Sequence, residues 1–250
     1  MGKFFSILTI LCLWQISYAQ SELKTNQGFL FNPHYAVQLP GADLKERFET
    51  FSSIGMAIDH KFKNNFSIGI DYDWYFGNSV KDDGLFSEIS GPSGAIIDKN
   101  GDFSIVTLNI KGHYATLNLG YLLNLQKNEP FSGILFSIGG GVMQHKIDIL
   151  SSQVTIPQLN DEYEYGYDKM AYGFASRLFV GYQYSTKKNR YRLRGGVEIN
   201  QGFTQGRRTW HFNSNTSGLE KRFDMTTAIK LGILVPIYTK GKNDEEFFTD

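Results

Sequence analysis

Phe223-Asp224-Met225-Thr226-Thr227-Ala228-Ile229-Lys230-Leu231-Gly232-Ile233 decides the fold. Phe223, Met225, Thr227, Ile229, Leu231 and Ile233 make one largely apolar face, which Val235 and Ile237 continue. Asp224, Thr226, Ala228, Lys230 and Gly232 make the other. Side chains of a strand alternate between its two faces, so this pattern predicts a strand between unlike environments. A slip of one residue would carry Asp224 and Lys230 onto the apolar face, so the register is firmly specified.

The same alternation recurs upstream. Phe66, Ile68, Ile70, Tyr72, Trp74 and Phe76 alternate with Ser67, Gly69, Asp71, Asp73 and Tyr75. Tyr191, Leu193, Val197 and Ile199 alternate with Arg192, Arg194, Glu198 and Asn200. Eight such segments are predicted, at about 27–39, 50–61, 65–77, 104–124, 132–148, 171–184, 190–203 and 223–238. The fourth changes phase near Gly112-His113-Tyr114, where a β-bulge is expected. One short helix is expected within 41–49. The connections sort by length: 62–64, 126–130 and 186–189 are short, whereas 40–49, 78–103, 149–170 and 204–222 are long. That sorting is expected of an all-β, eight-stranded antiparallel up-and-down transmembrane β-barrel, with tight turns at the periplasmic end and long loops outside. An even strand count puts both termini on the periplasmic side. Tyr121, Tyr182, Tyr184, Tyr191 and Tyr238 fall by the short turns and Tyr72, Trp74 and Phe76 toward a long loop, as two interfacial aromatic belts would.

The termini read differently. Lys3, the apolar stretch from Phe4 to Trp14, and Ser17-Tyr18-Ala19 form the three parts of a signal peptide, expected to be 1–19. The stretch is too short to cross a ~30 Å apolar core as a helix. The barrel is assigned to 20–238 and a periplasmic tail to 239–250, either disordered or a docking peptide that presents Phe247 and Phe248. Cys12 is the only cysteine and lies in the leader, so no disulfide or thiolate metal site is expected.

Twenty-five basic and 25 acidic residues in 250 balance to a net charge of zero, which argues against a nucleic-acid partner. A soluble lipocalin-like barrel is the rival fold, because parity alone does not say which face is inside. The polar face favours the membrane reading. It carries Gly55, Gly69, Gly139, Gly141, Gly181, Gly196 and Gly232, small residues suited to a crowded lumen that eight strands leave just wide enough for side chains.

Asp59, Asp71, Asp73, Arg177, Arg192, Arg194, Glu198 and Lys230 share the inward parity. Folding the 204–222 loop symmetrically sets Gly196 opposite Lys230 and Glu198 on its diagonal, which predicts a Glu198–Lys230–Arg194 network. It is either mutual neutralisation in a dry lumen or a proton path or ligand site. Glu162, Tyr163, Tyr165 and Tyr167 form an acidic, tyrosine-rich outer loop, a solvated extension or a protein contact. Arg207, Arg208 and Trp210 form a second patch suited to lipopolysaccharide phosphate or a partner. Asp98-Lys99-Asn100-Gly101-Asp102 has the start of a calcium loop without its closing acid, and a plain turn is expected. His34, His60, His113, His145 and His211 show no metal-binding spacing, so neither a metal nor a cofactor is expected. His113 and Ser137 are the residues to inspect for an outer-wall hydrolase, with nothing specific in their favour, and no catalytic residue is assigned.

Through the leader, the eight-strand pattern and Leu231-Gly232-Ile233-Leu234-Val235-Pro236-Ile237-Tyr238, the chain resembles small outer-membrane β-barrels of Bacteroidota and is loosely similar to the PorT-like family. The resemblance covers architecture and has no site motif. It implies an accessory or scaffold subunit of an envelope machine such as type IX secretion or barrel assembly, in contact with outer-membrane lipid, lipopolysaccharide and envelope proteins. A stand-alone barrel for membrane integrity or ligand binding, and a lipid-modifying enzyme, are the other readings.

Overall fold

The computed structural model describes residues 27–78, 80–81, 84–91, 96–104, 106–125, 129, 131–151, 156–159, 161–185, 192–213 and 216–237. The expected leader, Tyr191, Tyr238, the tail and Phe247 and Phe248 lie outside the described residues. In chain order the strands are β1 Gly28–Ala42, β2 Phe51–Lys61, β3 Phe66–Gly77, β4 Ile96–Ile97, β5 Phe103–Ser104, β6 Val106–Asn124, β7 Gly133–Ser151, β8 Ala171–Ser185, β9 Arg192–Gly206, β10 Lys221–Ile233 and β11 Val235–Ile237. Two single helical turns, α1 Leu44–Arg47 and α2 Asp161–Glu164, stand in long connections, the first within the expected short helix. Each large strand pairs antiparallel with its neighbour in sequence, and β4 and β5 form a separate small ribbon. β1 also pairs with β10, from His34–Gly232 to Ala42–Asp224, and with β11, so the two ends of the sheet meet. The break between β10 and β11 lies beside Pro33 and Pro236, which have no N–H to give to a ladder.

Along the lower wall the outward residues are apolar: Ile54 and Met56 on β2, Leu117 and Leu119 on β6, Phe136 and Ile138 on β7, Leu178 and Val180 on β8, and Ile229 and Leu231 on β10 are all exposed. Among the inward residues of the same tier, Asp71 and Asp73, Thr116 and Asn118, Ser137, Arg177, and Lys230 are polar and buried, alongside a small apolar cluster of Leu122, Leu135 and Phe179. A soluble barrel has the opposite arrangement. This wall presents grease to its surroundings and ions to its axis, the distribution of a strand that crosses lipid.

The upper tier, on the side of the long loops, is inverted. Leu44, which opens α1, and Phe48, which follows it, pack with Phe51, Tyr75, Leu85, Ile110, Tyr114, Met143, Ile147 and Tyr167 into one buried apolar cluster inside the mouth. Outside the same tier stand Lys111, Lys146 and Asp148, linked at 3.7 Å for each lysine. This explains the change of phase near Gly112-His113-Tyr114 and corrects the expected bulge. β6 pairs without interruption, from Gly77–Ile110 to Phe66–Tyr121 with β3 and from Val106–Ser151 to Asn124–Gly133 with β7. The backbone keeps its register and the surroundings change: Leu117 faces out to an apolar medium, whereas Ile110 and Tyr114 face in to an apolar plug.

Candidate functional site: the lumenal ion network

Lys230 on β10 reaches across the lumen to β3 and sideways to β9. Its Nζ lies 2.9 Å from Asp73 Oδ2, 3.4 Å from Asp71 Oδ2 and 3.0 Å from Glu198 Oε2. Arg177 on β8 completes the ring, with Nε donating to Glu198 Oε2 at 2.6 Å and Nη2 2.9 Å from Asp71 Oδ2. Asn200 Nδ2 donates to Glu198 Oε1 at 3.0 Å and Ser53 Oγ to Asp73 Oδ1 at 2.9 Å. All of these side chains are buried, so each charge has exchanged water for partners.

His34 is the member that strand-by-strand reading missed. Its Nδ1 lies 2.9 Å from the Asn32 carbonyl, and its Nε2 3.1 Å from Asp73 Oδ1 and 3.4 Å from Asp71 Oδ1. Both ring nitrogens face acceptors. The cluster gathers the carboxylates of Asp71, Asp73 and Glu198 around the Lys230 and Arg177 cations, with the His34 ring closing one side. Gly55 makes room for it: a Cβ there would lie 2.4 Å from His34 Nε2 and 2.9 Å from Asp73 Oδ1. The available signal was parity, since His34 shares the inward face of β1 with Asn32 and Gln38.

Arg194 departs from the expectation, and this is a correction. Its Nη1 donates to Asp59 Oδ2 at 2.6 Å, and its Nε and Nη2 donate to Gln183 Oε1 at 3.2 and 2.9 Å. The reason is spacing. Arg194 and Glu198 are four residues apart on one strand, about 13 Å, whereas Arg177 faces Asn200 and so sits on the diagonal of Glu198. Arg192 is six residues from Glu198, about 20 Å along the strand, and out of that cluster's reach.

A further buried cluster sits higher, beside the apolar plug, where the His145 ring meets Phe48 edge-on at 5.7 Å. Asp224 Oδ2 accepts from Thr204 Oγ1 at 2.5 Å and lies 2.9 Å from His145 Nε2, while Arg222 Nη2 lies 3.3 Å from Oδ1. In both clusters the hydroxyl donates to a carboxylate that is already paired with a cation, and among the described residues neither Ser53 nor Thr204 hydrogen-bonds an imidazole. The pair inspected for a hydrolase is not formed either. His113 lies on the outer wall with Nδ1 2.6 Å from Tyr72 Oη, and Ser137 is buried in the lumen.

His34, Asp71 and Asp73 have the donor types of a metal site. The Lys230 ammonium and the Arg177 guanidinium already neutralise those carboxylates at 2.9 Å each. A divalent cation would add charge beside two fixed cations, and these residues do not suit one.

The outer loops bind one another. Arg208 Nε donates to Asp168 Oδ1 at 2.8 Å, its Nη2 donates to Oδ2, and its guanidinium lies 4.3 Å from the Tyr165 ring. Those hydrogen bonds hold the Arg208 guanidinium above its ordinary range. Arg207 lies over Tyr172 at 5.1 Å, and Phe212 packs on Tyr167 at 5.5 Å. Two expectations are corrected here. Arg208 is committed to Asp168 and not to a phosphate, and Tyr167 is buried in the plug, where burial raises its phenol. Tyr163, Tyr165 and Trp210 are exposed, and Glu162 lies within α2. Asp98 Oδ1 accepts from the N–H groups of Asn100 and Asp102 at 2.7 and 3.1 Å, a plain turn closing the β4–β5 ribbon.

The fold is therefore an all-β, eight-stranded antiparallel sheet of the kind found in small outer-membrane barrels. No known protein family matches the chain. No curated protein matches it either. Solved structures do. Neisserial surface protein A shares 11% identity over 83% of this chain and 96% of its own, with a TM-score of 0.42. The attachment invasion locus protein Ail of Yersinia pestis shares 8% over 83% and 99%, at 0.40. The outer membrane protein OprG of Pseudomonas aeruginosa shares 12% over 83% and 95%, at 0.35. No activity passes across likenesses this distant. They are named as surface, attachment and outer-membrane proteins, none as a secretion-machine or assembly subunit, and the expected role as such a subunit is corrected to one without support among them.

Proposed function

We propose that the chain is a stand-alone, non-catalytic outer-membrane barrel whose ion-paired lumen and apolar plug make it a sealed wall element rather than a pore. The observation that carries this reading is the inversion between tiers. A buried ion network crosses the axis in the tier whose exterior is apolar, and an apolar plug occupies the mouth where Lys111, Lys146 and Asp148 stand outside. A lumen filled by mutually neutralised side chains has no free charge to draw ions through it. In this reading the long connections face outward, and the edge of the sheet where Gly28 and Ile237 lie faces the periplasm. The exposed Tyr163, Tyr165 and Trp210 form the outer surface available to partners.

Reconstitution into planar bilayers tests the seal. The expected result is insertion without conductance steps, and steady channel currents from the pure protein would overturn it.

A further inference from the structure

β3 pairs with β6 only as far as Gly77–Ile110, whereas β6 and β7 continue together to Val106–Ser151. The taller β6–β7 hairpin thus stands over the end of β2–β3 and leaves a notch of about 560 Å³ at the step. Its walls include Trp74 and Phe76, the amides of Asn78 and Asn109, and the charges of Lys111 and Asp148. That volume is in the range of small-molecule sites, about 300–1,000 Å³.

Its depth is informative. Descending β6, the outward residues change from Lys111 and His113 to Leu117 and Leu119, so the notch sits where the apolar band ends. Trp74 and Phe76 are the outward residues of that boundary on β3, where interfacial aromatics belong. Lys111 is loosely paired. Asp148 is 3.7 Å away and is shared with Lys146 at the same distance. Among the described residues the Lys111 side chain makes no hydrogen bond, and 46% of it is exposed. An ammonium with unused donors, two amides and an aromatic floor at the edge of an apolar band complement an anionic, hydroxylated headgroup with acyl chains below it.

The geometry points to a binding site for the phosphorylated headgroup of an outer-leaflet glycolipid, centred on Lys111 and Trp74. It rests on the membrane reading above, because the notch opens at a leaflet only if the lower wall lies in lipid. Native mass spectrometry of the protein in neutral detergent, with diphosphoryl lipid A as the probe, tests it. One bound lipid A is expected. Lys111→Glu and Trp74→Ala should each lower its occupancy at least about fivefold, the scale of one lost charged or aromatic contact. Lys221→Glu, at an exposed position on β10, should leave it unchanged. Folding of each variant is read from heat-dependent gel mobility, and Lys111→Gln supplies a milder change if Lys111→Glu does not fold. Unchanged occupancy in the folded variants, or phosphatidylglycerol binding as well as lipid A, overturns the site. A protein that is compact without detergent before any lipid is added overturns the membrane reading instead.

Discussion

Lys230 and Asp73 meet across the lumen at 2.9 Å although β10 and β3 are separated by two strands of the sheet, β1 and β2. No backbone pairing brings them together. Their contact, with Arg177 and Asp71 from the other side, ties opposite walls, so the network acts as an internal brace.

Removing one partner of such a buried pair strands the remaining charges. Lys230→Met should lower stability by ~3–5 kcal/mol, measured as the urea midpoint of the folded barrel in detergent. Glu198→Gln alone should also destabilise. The double variant should be less unstable than the sum of the two, because it removes a carboxylate with its ammonium. Strict additivity would show that the two charges do not act as a unit.

Gly55→Ala should also destabilise, by less than a charge deletion and for a steric reason. The added Cβ would meet the Tyr72 carbonyl oxygen at 2.3 Å and His34 Nε2 at 2.4 Å. Overpacking of this kind costs about 1–3 kcal/mol. Thermal unfolding checks it, and a melting point equal to that of the parent would show that the wall yields more than expected.

Arg208→Ala should loosen the mouth and leave the wall intact. Asp168 is buried and loses its bidentate partner, so local opening of the 161–168 segment should rise about tenfold. Limited proteolysis reads the loop, and global unfolding reads the wall. Equal loss in both would contradict the separation of tiers.

The mouth should also respond to pH through His211. Burial lowers its imidazole below the ordinary range, and the charges of Arg47 and Lys169 lower it further. The unfolded chain therefore binds this proton more readily than the folded one. The stabilisation is present above the ordinary imidazole range, near pH ~6.5, and is lost as pH falls through the lower folded value. Hydrogen exchange at the His211 and Phe212 amides, corrected for intrinsic rate, should quicken between about pH 7 and pH 5. Those amides bond to Thr216 and Gly166 carbonyls at 2.9 and 3.1 Å. His211→Gln should flatten the response, and an unchanged pH profile in that variant would assign it to other groups.

How much was legible in advance follows from the range of each interaction. Alternation located the eight large strands, and the symmetric folding of 204–222 placed Gly196 opposite Lys230, the pairing that is present. Both are nearest-neighbour properties of a sheet. The partners of Arg194 and the role of His34 were not legible, because contacts across a lumen depend on strand tilt and stagger around the whole barrel. The bulge expected near Gly112 had a different cause. Hydropathy along β6 reports the surroundings of each face, and those surroundings exchange at the membrane boundary while the backbone does not change.

The central claim is that the lower wall faces lipid. Spin labels at Leu119 and at Lys146, each introduced as a single cysteine with Cys12→Ser in protein reconstituted into vesicles, test it most directly. The label at Leu119 should collide with oxygen and be shielded from a water-soluble nickel complex, and the label at Lys146 should show the reverse. Free access of the nickel complex to position 119 would contradict the account.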